Sequence, residues 1–130
     1  MTQPKLITKP FASDALPGYV NEIPKENPVG APEQNASWAV GFPPITMTDL
    51  DDGGLPPNGE DMNGVLRAIT EHNLFIGGGG VYEFTDDYIT EVGGYNKGAV
   101  LVSDDKTALW MSIQDNNTQN FNGATKTQWR

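Results

Sequence analysis

The clearest periodicity in the chain lies between residues 58 and 77. Met62, Val65, Leu66 and Ile69 follow one another at i, i+3, i+4 and i+7, which gathers them on one apolar face of a helix. Asn58 is suited to cap its start, with Asp61 three residues on in a capping-box arrangement, and the Gly77–Gly80 run stops it. Gly64 weakens such a helix by about 1 kcal/mol relative to Ala, so its presence predicts close approach of another backbone. A second, shorter helix is predicted over about 86–92. Thr85 caps it, Asp86 and Asp87 suit its positive end, Gly93-Gly94 closes it, and Tyr88, Ile89 and Val92 form its buried side. Val81–Phe84, between the two, reads as a short strand. From Gly98 the period falls to two. Ala99–Ser103 and Thr107–Ile113 read as paired strands around an Asp104-Asp105-Lys106 turn, with Leu109, Met111 and Ile113 on one face and Trp110 on the other. Asp115–Thr118 reads as a polar loop, and Trp129 lies on or beside a last short strand.

Residues 1–36 show no such order. Prolines at 4, 10, 17, 24, 28 and 32 leave no room for a useful helix, yet Leu6, Ile7, Phe11, Leu16, Tyr19, Val20 and Ile23 are too apolar for a purely solvated tail. The segment reads as an extended Pro-rich N-terminal arm that becomes ordered on a neighbour or partner. Residues 37–57 read as a long ordered loop, with Pro43-Pro44 extended and apolar anchors between breakers. Fifteen glycines and ten prolines in 130 residues fit this loop-rich picture. The expected fold is α+β: the arm over 1–36, then a small attachment domain over 37–130 with a helical lobe about 58–92 and a small antiparallel β lobe about 95–129.

Charge and composition remove several function classes. Eight basic against seventeen acidic residues give a net charge of −9, which opposes nucleic acid and anionic membrane surfaces as partners. No stretch approaches the roughly 18 apolar residues of a membrane span, so no membrane insertion is expected. Met1–Pro10 has no apolar signal-peptide core. Cysteine is absent, which removes thiol chemistry and disulfides. His72 is the single histidine and has no second His or Cys with which to form a metal set. No serine stands in a nucleophile-elbow sequence. The carboxylate pairs (Asp51-Asp52, Glu60-Asp61, Asp86-Asp87, Asp104-Asp105) fall where turns and first helical turns favour acids. Asp49, Asp51 and Glu60 match positions 1, 3 and 12 of a Ca²⁺ loop, but position 5 is Gly53, without a side-chain ligand, and Pro56-Pro57 interrupts the loop. They are weak candidates, and no metal or cofactor is expected. Tyr95, Trp110 and Trp129 are either the core of a small sheet or, if exposed, a sugar-stacking platform.

Several runs carry a resemblance. They are Lys9–Ala12, Ala36–Thr48, Gly53–Leu66, Gly78–Phe84, Ile89–Leu101 and Asp115–Thr118, with the closing Trp129. In order and spacing they resemble the N-terminal region of tail fibre and tailspike proteins of tailed bacteriophages, over most of residues 9–129. The resemblance implies a structural virion protein rather than an enzyme, made in the bacterial host cytoplasm and carried on the phage tail. It implies a homotrimer docked on a tail or baseplate protein, with host surface polysaccharide met through a separate C-terminal part that these 130 residues do not include. The acidic Asp49–Asp52 insertion departs from the pattern. Residues 95–129 are also loosely similar to a small carbohydrate-module sheet, which supplies the alternative of a receptor-recognition module. On the attachment reading, Phe11, Trp38, Phe42, Pro43, Pro44, Ile45 and Met47 are the candidate partner or trimer interface. Aromatic and Met enrichment with little charge suits an interface core, and it suits an ordinary core equally.

Overall fold

The computed structural model describes residues 1–130. Two helices and a two-stranded antiparallel sheet make it α+β, as the periodicities require. The chain divides into two compact units, Met1–Gly78 and Gly79–Arg130. The second helix therefore belongs with the sheet rather than with the first helix.

The first unit is built on α1, Gly59–Gly77. Its boundaries are those expected from Asn58 and the glycine run, but the capping box does not form. Asn58 makes no side-chain cap. Its amide instead donates to Asn35 Oδ1 at 2.8 Å and to Asp61 Oδ2 at 3.3 Å. Residues before Ser37 run through turns laid on this chain's own helix. The Phe11 N–H donates to Thr70 Oγ1 at 2.7 Å, Asn63 Nδ2 donates to the Tyr19 carbonyl at 2.9 Å, and the Asn21 N–H donates to the Glu60 carbonyl at 3.0 Å. Gly64 marks the crossing point. A Cβ there would stand 1.9 Å from the Asn21 carbonyl oxygen, so the sequence expectation of close backbone approach holds. Between Ser37 and Pro57 the loop is ordered by two short 3-10 turns, Pro44–Met47 and Leu50–Asp52. Pro43 keeps extended geometry at ψ 160°, while Pro44 opens the first of these turns instead of continuing an extended run.

The second unit contains α2, Asp86–Val92, capped by the Thr85 hydroxyl, which accepts from the Tyr88 N–H, and ended at Gly93 in the left-handed region. β1, Val100–Val102, pairs with β2, Leu109–Met111, with Leu101 opposite Trp110. Val81–Phe84 contributes one parallel bridge, Glu83 to Val102, rather than a strand. The last residues complete the sheet edge. Ser112 bridges to Trp129, and Met111 and Arg130 exchange both backbone hydrogen bonds. Phe84, Tyr95, Leu101, Phe121 and Trp129 form the core, with Ile89, Ala99 and Trp110 packed against it. Trp110's face of the hairpin is thus the inner one, and Leu109 and Met111 are exposed. On α2 Ile89 packs against the core and Tyr88 stacks one ring face on Tyr95 at 4.6 Å while staying 42% exposed, and Val92 is exposed, which corrects the expected buried trio. Seven residues, about two turns, cover too little of a small core to bury three side chains.

Candidate attachment surface

Asp61 organises the first unit. Its side chain is buried, and it accepts from three donors in different parts of the chain. Oδ1 accepts from Asn21 Nδ2 at 2.8 Å, and Oδ2 accepts from the Ala36 N–H at 2.9 Å and from Asn58 Nδ2. A buried carboxylate is tolerated only when its oxygens are satisfied, and here the donors pin residues 21, 36 and 58 to the first turn of α1. Sequence reading placed Asp61 in a capping box. No signal in the sequence shows its wider role, because Asn21 and Ala36 reach the helix start only through the fold.

The pinned segment frames an open groove of about 510 Å³ lined by Val20, Ile23, Trp38, Gly64, Arg67 and Glu71, among others. Trp38 is held by its backbone N–H, which donates to the Pro24 carbonyl at 2.9 Å, and the residue remains 53% exposed. The Arg67–Glu71 ion pair, at 3.5 Å, lies along the same wall. Of the seven candidate interface residues, Phe11, Trp38, Pro44 and Met47 are exposed, while Phe42, Pro43 and Ile45 are half-buried in their own loop. None is buried, so they do not constitute an ordinary core. The buried apolar residues of unit 1, glycines aside, are Ile23 and Ala36. This is very little for 78 residues.

Tyr95, Trp110 and Trp129 do come together in the second unit, but as core. Tyr95 and Trp129 are 8% and 5% exposed, and their rings meet edge-on at 6.0 Å. A sugar ring needs a free aromatic face, and neither residue offers one. The stacking platform is corrected to a hydrophobic core, with Trp110 half-buried between Phe121, at 5.9 Å, and the Lys126 ammonium, 4.9 Å from its ring centre. Asn117 was missed by the sequence reading of its loop as merely polar. It is fully buried. Its amide donates to Ser112 Oγ and the Gln128 carbonyl, both at 2.9 Å, and its Oδ1 accepts from the Gln119 N–H. Gly94, at φ 131°, lets that loop close, because a Cβ there would stand 2.5 Å from the Asn116 carbonyl carbon.

Asp49, Asp51 and Glu60 do not converge. Asp49 caps the second 3-10 turn by accepting from the Asp51 N–H, and Glu60 stands in α1. No group of three or more His, Cys, Asp or Glu side chains is placed to hold a metal ion. His72 lies exposed on α1. The Asp105 carboxyl is pulled well down, to about 2, because the Ser103 hydroxyl and the Thr107 hydroxyl and N–H all donate to its charged form. It stabilises the hairpin turn.

No family model and no curated protein matches the chain.

Proposed function

We propose that this chain is a structural attachment module that joins a trimeric phage tail fibre or tailspike to the tail or baseplate. The observation that carries the reading is the missing core of the first unit. Sixteen large apolar side chains of residues 1–78, among them Phe11, Leu16, Tyr19, Trp38, Met47 and Leu55, are exposed, and only Ile23 and Ala36 are buried. A surface so apolar marks a site that another protein covers. Its fixed backbone, held through Asp61, gives that surface a defined shape, so docking need not first order the segment. Three copies engaging one tail would multiply a modest affinity per copy. The motif resemblance to tail fibre and tailspike N-termini supplies the identity of the partner. Removal of an exposed anchor should weaken docking without loss of fold. Trp38→Ala is expected to lower incorporation into tails while circular dichroism stays unchanged. Normal incorporation of this variant would show that the Trp38 surface is not the anchor.

A further inference from the structure

We propose that Asn122 is a site of self-modification, where the side-chain amide is lost through attack by the Gly123 nitrogen. Asparagine stands before glycine three times, at Asn58-Gly59, Asn63-Gly64 and Asn122-Gly123. Glycine suits the reaction because it has no Cβ to obstruct the approach of its nitrogen to the neighbouring side chain. That nitrogen adds to the Asn Cγ and gives up its proton, and the side-chain nitrogen leaves as ammonia. The resulting succinimide takes up one water. Opening at the side-chain carbonyl gives Asp. Opening at the main-chain carbonyl gives isoaspartate, in which the chain runs through Cγ. Either way ammonia leaves and water enters.

The fold separates the three steps. At the first two it holds the nitrogen that would have to leave. Asn58 Nδ2 donates to Asn35 Oδ1 at 2.8 Å and to the Asp61 carboxylate, and Asn63 Nδ2 donates to the Tyr19 carbonyl at 2.9 Å. Gly64 also lies inside α1, where its N–H belongs to the helix ladder and its backbone cannot turn towards the Asn63 side chain. Asn122 is arranged the other way round. It is exposed, in a turn that the Gly123 N–H closes with a long bond of 3.3 Å to the Asn120 carbonyl. Its held atom is Oδ1, which accepts from the Asp104 N–H at 3.0 Å and leaves Nδ2 free to depart. The negative charge that grows on Oδ1 as the Gly123 nitrogen adds is met by that N–H, a donor already in place for the tetrahedral intermediate. The product matters to the second unit. Isoaspartate lengthens the main chain by a carbon beside Phe121, which is fully buried in the core, and withdraws the acceptor from the Asp104 N–H at the hairpin turn.

The test is ageing of the full chain in mildly alkaline buffer, with each Asn-Gly step read by peptide mass spectrometry and isoaspartate counted with an isoaspartyl methyltransferase. The folded chain should convert at Asn122 roughly tenfold faster, or more, than at Asn58 or Asn63, because freeing an amide from a backbone or charged acceptor carries a penalty of that order. In urea the three rates should come together. Gly123→Ala should slow conversion at Asn122 alone. The Asp104 amide should exchange faster in the isoaspartate product but not in Asn122→Asp, which keeps the acceptor without lengthening the chain. Equal rates at the three steps of the folded chain overturn the proposal, as does conversion at Asn58 or Asn63 ahead of Asn122. A preference for Asn122 that survives in urea overturns the role given to the fold, and undiminished conversion in Gly123→Ala overturns the route through its nitrogen. Unchanged Asp104 exchange in the isoaspartate product overturns the consequence for the hairpin.

Discussion

Replacing Gly64 by Ala sets two effects of opposite sign against each other. Within a helix the change is favourable by about 1 kcal/mol. At this position the new methyl would stand 1.9 Å from the Asn21 carbonyl oxygen, 3.1 Å from its carbon and 3.2 Å from Ile23 Cδ1. The nearest obstacle is backbone, which cannot swing aside like the end of a side chain, so the crossing segment must lift. Lifting breaks the hydrogen bond from the Asn21 N–H to the Glu60 carbonyl and that from Asn21 Nδ2 to the Asp61 carboxylate. The first contributes about 1 kcal/mol and the second, to a charged group, about 2 kcal/mol. Exposure of Ile23 removes about 2 kcal/mol more. Arm docking, which shares nothing of the gain within the helix, loses about 5 kcal/mol, several thousandfold in its equilibrium. Hydrogen exchange read by mass spectrometry measures it directly. Protection at Asn21, Ala36 and Trp38 should fall by about that factor, while amides in the middle of α1 hold or gain. Gly59→Ala, which meets nothing within 4 Å, should leave the arm protected. Unchanged protection of Asn21 and Ala36 in Gly64→Ala would refute the crossing.

Two further outcomes follow from individual carboxylates. Asp61→Asn keeps the shape but turns one acceptor into a donor facing donors already in place, so arm docking should weaken by about 2 kcal/mol and the Ala36 amide should exchange faster. Equal exchange in the two proteins would mean that the charge and second acceptor of Asp61 are dispensable. Asp105 has its carboxyl lowered from 3.8 to about 2, so its support of the hairpin turn is complete above about pH 4 and disappears as pH falls towards 2. NMR titration should show the Thr107 amide shifting in that window, and a Thr107 midpoint near 4 would contradict the turn geometry.

The local signals in the sequence were readable where a few adjacent residues decide the outcome. Asn58 and Gly77 bracket α1, Thr85 and Gly93 bracket α2, and Asp104–Lys106 turns between β1 and β2. Gly64 was readable because a costly residue in a helix requires a reason. What escaped depends on distant partners. Asp61 has the spacing of a capping residue, and only the return of residues 21 and 36 makes it a tertiary acceptor. Asn117 sits in an outwardly ordinary polar loop until Tyr95 pairs with it on both sides and Gln128 closes over it. The three-residue alternation around Trp110 shows two faces but does not say which one is inner. The aromatic residues Phe84, Tyr95, Phe121 and Trp129, scattered over 46 positions, decide that by meeting behind it.

The Asp61 carboxylate also imposes a timetable. Its partners Ala36 and Asn21 lie 25 and 40 residues upstream, so each link requires closing a long loop, whereas α1 can wind from neighbours alone. The helix is therefore the early product, and the N-terminal segment is laid onto it afterwards. On unfolding the sequence reverses, and that segment is released first. A protease acting briefly on the native protein should cut within residues 1–36 well before it cuts α1.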